Sequence, residues 1–344
     1  MEQIKSSGVK QIITTNMLKY LIVILDDTAE SFCYYSNKKN GSCIISLENL
    51  KQIAIFALKN NLTVNFLYGK QPLPKKYIEV IQSVPHTRII PIELEKEHKD
   101  GLVIVNYDDL QKEKSLNFST KRNIIFRIPR ENITELAEIV KKLQYERLNV
   151  VSLGIEFYTE SDLEEYEKQL DKIKPYLCKI YEQNLDAEIN IVSDRIVLNE
   201  MHNCNAGVQH ITLAPNGKLY LCPAFYEEDE KNHIGDLSNG IEIKNKHLLQ
   251  LEYAPICRNC DAFQCKRCIY LNQLITLEMN TPSREQCVLS HYERNTSKSI
   301  LNFIKSNTNF LKSVKDIPEI EYLDPFDVIS ENPNNINEII ANNC

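Results

Sequence analysis

Cysteines at short, repeated spacings dominate the last third of the amino-acid sequence. The chain has 344 residues and 11 cysteines, and the closely spaced ones are Cys204, Cys222, Cys257, Cys260, Cys265, Cys268 and Cys287. Four of them form two Cys-x-x-Cys pairs within one short segment, close enough to share a metal or to divide between neighbouring metals. In a reducing compartment, clustered cysteines are more often metal ligands than disulfides. The spacing predicts a metal-binding module, and two iron–sulfur clusters are its favoured occupants.

Zinc is the alternative occupant, because two Cys-x-x-Cys pairs also suit a tetrahedral zinc ion. Zinc ribbons usually separate their pairs by many more residues than the four between Cys260 and Cys265. Seven cysteines also leave a second zinc site incomplete without a histidine. The candidates for that ligand are His202, His210, His233 and His291. Iron–sulfur and zinc both remain open at this point.

Charge and hydropathy exclude two classes of partner. The formal net charge is −7, whereas a surface that neutralises nucleic-acid phosphates is normally basic. The apolar run Leu21–Leu25 is too short for a signal-peptide core and is followed by Asp26 and Asp27. No other run approaches the length of a membrane span. We therefore expect a cytoplasmic protein that binds neither nucleic acid nor membranes.

The part of the chain before the cysteines must position any reactive groups, and its pattern is α/β. Apolar, β-branched runs alternate with amphipathic helical stretches, which is typical of parallel strands joined by crossover helices. The predicted strands are Tyr20–Asp26, Thr63–Tyr68, Thr87–Leu94, Leu102–Tyr107, Asn123–Ile128, Asn149–Phe157 and Glu188–Val192. The predicted helices are Leu47–Asn60, Pro74–Ser83, Asn132–Glu146, Ser161–Asn184 and Ser290–Ser306. Together they predict an open or partial β/α barrel with reactive groups at the carboxyl ends of its strands.

Local signals add detail to the fourth helix and predict one further hairpin. Ser161 is the expected N-cap of the fourth helix, and Pro175 predicts a kink or a break within it. The dipeptide Asn216-Gly217 predicts a hairpin between two short strands, which would bring Cys204 towards Cys222.

The cysteine-rich region resembles the SPASM domain of radical SAM peptide-modifying enzymes. The resemblance rests on Cys204-Asn-Ala-Gly207, on Pro215-Asn-Gly217 followed by Cys222-Pro223, on His233-Ile-Gly235-Asp236, and on the order of the five later cysteines. This chain has four and two residues between later cysteines where the family usually has five and three. The resemblance implies one auxiliary 4Fe-4S cluster with an open iron, held by Cys204, Cys222 and Cys268. It implies a second 4Fe-4S cluster held by Cys257, Cys260, Cys265 and Cys287.

The landmarks that bind SAM in that family are degenerate here. The family carries Cys-x-x-x-Cys-x-x-Cys after the first strand, where this chain reads Ala29-Glu-Ser-Phe-Cys33-Tyr-Tyr35-Ser36. The family's Gly-Gly-Glu-Pro loop, which holds the SAM amino group, reads Gly69-Lys-Gln71-Pro72. One thiolate cannot retain a 4Fe-4S cluster, and a neutral amide binds an ammonium group less well than a carboxylate does. We expect classical SAM cleavage to be lost, and Cys33 to be a loop or core thiol.

The sequence pattern and these resemblances together predict four segments. They are a flexible extension at residues 1–16, a degenerate radical SAM-like β/α barrel at 17–200, a small SPASM-like iron–sulfur domain at 201–306, and an acidic tail at 307–344.

The overall layout resembles the CXXX repeat peptide maturases over about residues 17–306. Membership would imply maturation of a ribosomally synthesised, cysteine-rich precursor peptide, together with a second protein of the same modification system. The alternatives are a non-catalytic scaffold that presents the peptide to a true radical SAM enzyme, and a zinc-binding interaction module. No catalytic residue is assigned. Asp26 and Asp27 are expected to lie in a solvated turn or cap, Glu156 is equally ambiguous, and Lys70 is expected to be an exposed turn lysine.

Overall fold

The structure is a computed structural model, described here for residues 18–36, 41–112, 121–183, 187–198, 200–201 and 204–307. The predicted extension at 1–16 lies outside the described residues, as does the predicted tail apart from Asn307. The strands are β1 (Tyr20–Ile24), β2 (Thr63–Leu67), β3 (His86–Pro91), β4 (Leu102–Asn106), β5 (Arg122–Ile128), β6 (Tyr145–Ser152), β7 (Glu188–Ile189), β8 (His210–Leu213), β9 (Lys218–Tyr220), β10 (Gly235–Asp236) and β11 (Gly240–Ile241). The helices are α1 (Leu47–Asn60), α2 (Lys75–Gln82), α3 (Tyr107–Lys112), α4 (Leu136–Lys142), α5 (Glu160–Glu182), α6 (Asp194–Val197), α7 (Pro223–Glu228), α8 (Ile269–Thr276) and α9 (Arg284–Asn307).

The chain forms two compact units, each built from separated segments. Unit 1 comprises Met1–Ser31, Asn37–Gly101 and Asn205–Leu249, and unit 2 comprises Phe32–Ser36, Leu102–Cys204 and Gln250–Cys344. The predicted domain boundary between residues 200 and 201 stays a prediction.

Unit 1 is organised around parallel strands. The central strand β1 pairs in parallel with β2 and β8, and β2 pairs in parallel with β3. Strands β9, β10 and β11 continue the sheet from β8 as antiparallel pairs. Residues 21–24 of β1 are all buried, as expected for a strand that is covered on both faces. The fold class is therefore α/β with a largely parallel sheet.

Helix α1 shows why the sequence pattern gives this architecture. Ser46 accepts a hydrogen bond from the Asn49 backbone N–H and caps the helix, and Asn61 ends it in the left-handed conformation. The buried face consists of Leu50, Ile53, Ala54 and Ala57, which is the predicted apolar face. The predicted bounds of this helix are confirmed.

In unit 2, strands β4, β5, β6 and β7 pair in parallel in that order, and α5 packs against α9. Helix α5 begins at a capping box made by Thr159 and Asp162, so the predicted cap at Ser161 is wrong by two residues. The helix runs unbroken from Glu160 to Glu182 through Pro175, so of the predicted kink or break at this proline the break does not occur.

All seven predicted strands are present, with shifted ends. The predicted helix Asn132–Glu146 is too long: a 3-10 segment at Arg130–Glu135 precedes α4, and β6 already begins at Tyr145. Strand β6 ends at Ser152, because Gly154 takes a left-handed conformation that terminates it. The short α3 was not predicted. The hairpin between β8 and β9 is confirmed, with Gly217 at a φ of 79°.

Within the described ranges, no helix combines the length and the apolar character needed to cross a membrane.

Candidate metal centre

The structure gathers three of the predicted ligands into one apolar cluster of unit 2. Cys257 is buried together with Met201 and Ala254, and Cys260 and Cys265 pack against this cluster. The apolar surroundings limit water access to the three thiols, as they do in metal sites whose ligands are protected from solvent. Cys257, Cys260 and Cys265 thus share one cluster, and their assignment as ligands of the second iron–sulfur cluster stays a prediction.

Backbone amides in this loop point towards the sulfurs. The Ala262 N–H donates to Cys260 Sγ at 3.4 Å, and the Arg267 N–H donates to Cys265 Sγ at 3.4 Å. Each bond joins a cysteine to the amide two residues further on. Hydrogen bonds of this kind favour the charged form of the acceptor. At Cys265, however, burial outweighs them and raises the pKa of the thiol.

Arg267 carries a positive charge into this loop. Its side chain is only 1% exposed, and its guanidinium group interacts electrostatically with Cys204, Cys257 and Cys265. Thiolates on a bound metal would place negative charge next to this guanidinium, which is a favourable arrangement in a buried site. The cysteine donor set of this loop therefore suits a thiolate-ligated metal group.

A buried ionic network holds the same loop in place. Asp261, which directly follows Cys260, accepts hydrogen bonds from Arg195 of α6 at 2.7 Å and from Arg294 of α9 at 3.2 Å. Lys266 pairs with Asp194 at 3.7 Å. Asp261, next to the first Cys-x-x-Cys pair, is thus bound to helices α6 and α9, and Lys266, within the second pair, is bound to α6.

Helix α9 contributes Cys287, and one turn later His291. Cys287 is buried, and His291 Nε2 lies 3.8 Å from Cys260 Sγ. Residues four apart share a helix face, so Cys287 and His291 lie on the same side of α9. The contact between Cys260 and His291 is also compatible with a zinc site of mixed ligands.

The remaining histidines of the zinc alternative lie elsewhere. In unit 1, His210 is buried in β8 and stacks on Tyr20 with ring centroids 4.8 Å apart, and His233 is exposed. His202 lies outside the described residues. In the described part of the chain, no group of three or more His, Cys, Asp or Glu side chains is already arranged around a single metal ion. The thiolates of a four-iron cluster bind different irons, and so stand further apart than ligands of one ion.

The other predicted ligands begin helices or border the Cys-x-x-Cys loop. Cys222 is the N-cap residue of α7 in unit 1, directly before Pro223 at the first helical position. In unit 2, Cys268 is the N-cap residue of α8, and the Cys204 N–H donates to the Lys266 carbonyl at 2.9 Å. Cys204 therefore lies beside the Cys265–Cys268 segment.

A cavity of about 30 Å³ lies beside Cys265 in unit 2, at the carboxyl ends of β6 and β7. Glu293 lines it and accepts hydrogen bonds from Tyr166 at 2.6 Å and from Gln264 at 3.2 Å. Burial raises the pKa of the Glu293 carboxyl to about 7. The volume suits about two water molecules, which would also satisfy the unpartnered Oε1 of Gln264.

The strand-end loop of unit 1 differs from the expected solvated turn. Asp26 is fully buried and Asp27 is 8% exposed, so the prediction of a solvated pair is wrong. Asp26 Oδ1 accepts hydrogen bonds from the backbone and side chain of Thr28. A Cβ at Gly69 would meet the Asp26 carboxylate, so any larger residue at this position would have to displace that carboxylate. Asp27 accepts from Tyr226 at 2.7 Å. These aspartates hold the loop together.

Lys70 is exposed, as predicted, and its ammonium group pairs with two carboxylates. Its Nζ lies 3.1 Å from Glu30 Oε1 and 2.6 Å from Glu93 Oε1, and its backbone N–H donates to Thr28 Oγ1 at 2.7 Å. Sequence reasoning identified Lys70 but not its two carboxylate partners, because Glu30 and Glu93 carry no motif of their own. The loop after β2 therefore contains an ammonium group bound by two carboxylates.

No protein-family model and no curated protein matches this sequence. Solved structures match the fold. Histidine-tagged anSMEcpe with bound AdoMet gives a TM-score of 0.58 at 12% identity, over 86% of this chain and 97% of that chain. Native anSMEcpe with bound AdoMet and Cp18Cys peptide gives 0.58 at 11% identity, over 84% and 99%. SuiB of Streptococcus suis, bound to its precursor peptide SuiA, gives 0.41 at 14% identity, over 77% and 75%.

At these identities the likeness concerns the fold, and it extends over nearly the whole of anSMEcpe, a radical SAM/SPASM peptide maturase. Both compact units contain parallel strands and helices, which agrees with this likeness in fold. Unit 2 also contains the loop with the two Cys-x-x-Cys pairs. The chain resembles the radical SAM/SPASM-type peptide maturases in its fold.

Proposed function

We propose that this chain is a maturation protein for a ribosomally synthesised, cysteine-repeat (CXXX repeat) peptide, and that it binds two auxiliary 4Fe-4S clusters without cleaving SAM. The observation that carries the proposal is the loop of unit 2 in which Cys257, Cys260 and Cys265 share an apolar cluster beside the buried Arg267. Such a loop supplies thiolates, excludes water and provides a counter-charge.

The ligand assignment follows the resemblance. Cys257, Cys260, Cys265 and Cys287 hold the second cluster, and Cys204, Cys222 and Cys268 belong to the first. When bound, such clusters transfer single electrons and, where an iron is open, accept a thiolate. The residues of the chain itself deliver the thiolates, orient them through Asp261 and its arginines, and limit solvent access.

The proposal that SAM chemistry is lost is supported by Lys70. In the family this loop binds the amino group of SAM, whereas here the ammonium group of Lys70 is bound to Glu30 and Glu93. A second ammonium at this place would face like charge. The single Cys33 in place of three cysteines gives a second, independent reason.

A peptide is the proposed substrate because anSMEcpe, which has this fold, has been crystallised with the Cp18Cys and Kp18Cys peptides. The cysteine-repeat precursor and a second protein of the modification system come from the family resemblance. A non-catalytic scaffold that presents the peptide to a SAM-cleaving enzyme is the alternative within the same framework, and the loss of the SAM landmarks favours it.

The first test is metal content. The full chain, purified without oxygen and reconstituted, should contain about eight irons and about eight sulfides and absorb in the visible range. The double variant Cys257→Ala/Cys260→Ala should lose about half of both. Cys43→Ala, which removes an exposed cysteine of unit 1, is the matched control and should retain all of them. Wild-type iron content in the double variant would refute the assignment.

Zinc is the second candidate, favoured by the 3.8 Å contact between Cys260 and His291. Zinc without sulfide in the purified chain, together with loss of zinc in His291→Ala, would establish an interaction module in place of the proposed function. Iron content unchanged in His291→Ala would support the cluster assignment.

Peptide binding and SAM cleavage are measured next. A synthetic peptide of repeated Cys-x-x-x units should bind the reconstituted chain, and 5′-deoxyadenosine should not form when SAM and a reductant are added. Formation of 5′-deoxyadenosine would contradict the loss of SAM chemistry. Binding without any change in the peptide's mass would favour the scaffold.

A further inference from the structure

The lining of the cavity beside Cys265 contains buried acceptor atoms without a donor. The cavity lies within unit 2, between the ends of β6 and β7, the Cys-x-x-Cys loop and helix α9. Gln264 and Gln286 both line it, with 3% and 5% exposure. In the described part of unit 2, the Oε1 atom of each is buried without a hydrogen-bond partner. Such atoms destabilise a folded chain until a donor reaches them, so the cavity favours an occupant that donates hydrogen bonds.

The orientation of the Gln264 amide is fixed by its neighbours. Its Nε2 donates to the Ser290 carbonyl at 2.7 Å and to Glu293 Oε2 at 3.2 Å. A backbone carbonyl can only accept a hydrogen bond, so the amide nitrogen must face it. The unpartnered atom of Gln264 is therefore the oxygen, which is an acceptor.

Glu293 adds a carboxylate to the same lining. Its two hydrogen-bond donors, Tyr166 at 2.6 Å and Gln264 at 3.2 Å, are neutral groups. Each carboxylate oxygen can accept a further hydrogen bond. Lys266 also lines the cavity, and its Nζ pairs with Asp194 at 3.7 Å. A cation in the cavity would therefore meet a carboxylate whose hydrogen-bond donors carry no charge, which is a favourable arrangement in a buried site.

Apolar side chains complete the lining and restrict the shape of the occupant. They are Val150, Ile155, Ile191 and Leu289. The volume of about 30 Å³ holds about two groups of the size of a water molecule. An ammonium group has about this size, and the methylene group attached to it can contact the apolar side chains. A primary alkylammonium group thus matches the volume, the acceptors and the apolar lining together.

We infer that this cavity binds a primary alkylammonium group, and that this group is the end of a lysine side chain of the precursor peptide. The peptide part of the inference rests on the proposed function. The ammonium group donates to Glu293 and to the Oε1 atoms of Gln264 and Gln286. Binding is non-covalent, and the lysine anchors the peptide at the carboxyl ends of β6 and β7.

Two other occupants match the cavity less well. A water molecule can donate to the same oxygens, but it brings no positive charge to the carboxylate. The N-terminal ammonium group of a peptide is charged, but it stands directly beside a polar peptide group. Apolar side chains favour the unbranched alkyl chain of lysine over that neighbour.

The first test measures the melting temperature of the reconstituted full chain in ethylammonium chloride and in tetramethylammonium chloride at equal ionic strength. Tetramethylammonium has the same charge but no N–H donor. A ligand that binds only the folded chain raises its melting temperature, so wild type should melt at a higher temperature in ethylammonium chloride. Glu293→Gln should lose most of this difference, because binding weakens about tenfold or more without the carboxylate. Glu285→Gln, on α9 but outside the cavity lining, should keep it.

Equal melting temperatures of wild type in the two salts would overturn the inference, and this comparison needs no variant if Glu293→Gln does not fold. A difference that Glu293→Gln retains in full would overturn it as well. The iron and sulfide contents of the same wild-type preparation are measured separately. Their absence would overturn the proposed function and leave the ammonium site standing wherever the difference between the salts persists.

The second test identifies the source of the ammonium group. Two N-acetylated peptides of repeated Cys-x-x-x units, one with a single lysine and the other with norleucine at that position, are titrated into wild type. The lysine peptide should bind about tenfold or more tightly. Equal affinities, with the difference between the salts intact, would overturn the lysine side chain as the ligand. A gain in affinity that requires a free N-terminus would overturn it in favour of the terminal amine.

Discussion

Asp261 accepts a hydrogen bond from Arg195 at 2.7 Å, and this contact ties the Cys-x-x-Cys loop to helix α6. The same carboxylate also accepts from Arg294 at 3.2 Å, and all three side chains are largely buried. Because one carboxylate compensates two buried guanidinium groups, removal of its charge should cost more than loss of one surface ion pair.

Asp261→Asn should therefore lower the free energy of unfolding by about 3 kcal/mol, since two buried charges lose their counter-charge. Chemical denaturation of the reconstituted protein measures it. Asp171→Asn, which affects an exposed pair with Lys174 on α5, is the control and should cost at most about 0.5 kcal/mol. Equal effects of the two substitutions would show that the Asp261 network contributes no more than a surface pair.

Arg267→Gln should lower the reduction potential of at least one cluster, because loss of a buried positive charge beside the thiolates disfavours an added electron. A redox titration followed by EPR measures the change. Arg258→Gln is a matched control within the first Cys-x-x-Cys pair, where the side chain is exposed and screened by water. A potential that is unchanged in Arg267→Gln, or equally lowered in Arg258→Gln, would contradict the role given to the buried charge.

Lys70→Met should lower the free energy of unfolding by about 1 kcal/mol, because it leaves the largely buried Glu30 carboxylate without the Lys70 ammonium beside it. The difference from wild type should shrink as salt is added, since Lys70 and Glu93 are both half-exposed. Lys75→Met at the start of α2 serves as the comparison and should have little effect. A salt-independent difference would show that the Lys70 contribution is not electrostatic.

Glu293 should make stability depend on pH near neutrality. Burial raises the pKa of its carboxyl from an ordinary 4.5 to about 7 in the folded chain. The folded state therefore holds this proton more tightly than the unfolded state. The resulting stabilisation is complete below the pKa that this carboxyl has in the unfolded state, and it is lost as pH rises through the pKa of the folded state.

Between pH 5 and 8, wild type should lose on the order of 1–3 kcal/mol of stability that Glu293→Gln does not lose. Unfolding curves at several pH values measure the difference between the two proteins. Glu285→Gln, earlier on α9, should keep the wild-type pH dependence. A pH profile for Glu293→Gln that parallels wild type would place the titration elsewhere.

The sequence predicted helices and strands well where the spacing of apolar residues shows which face of the element is buried. Helix α1 has the predicted bounds because its apolar residues repeat on one face and both caps are coded locally. The helix predicted at Asn132–Glu146 failed because Tyr145 reads equally well as a helical or a strand residue. Tyr145 becomes a strand residue because β6 pairs with β5, and this pairing joins segments that are separated in the sequence.

The candidate site was predicted in composition and only partly in arrangement. The spacing of Cys257, Cys260 and Cys265 determined their convergence, because the loop that joins them is short. The burial of Arg267 and the pairing of Asp261 with Arg195 and Arg294 depend on segments far away in the sequence. No local pattern could have indicated them.

The pairing of β1 with β8 has a consequence for how the chain folds during synthesis. Strand β1 ends at residue 24, while its neighbour β8 does not begin until residue 210. One edge of β1 thus stays without its native partner until the chain has been translated through residue 213, and non-local pairings of this kind are slow to form and prone to aggregation. Fragments that end before β8 should accumulate as insoluble material, and expression strategies should preserve the full span from β1 to β8.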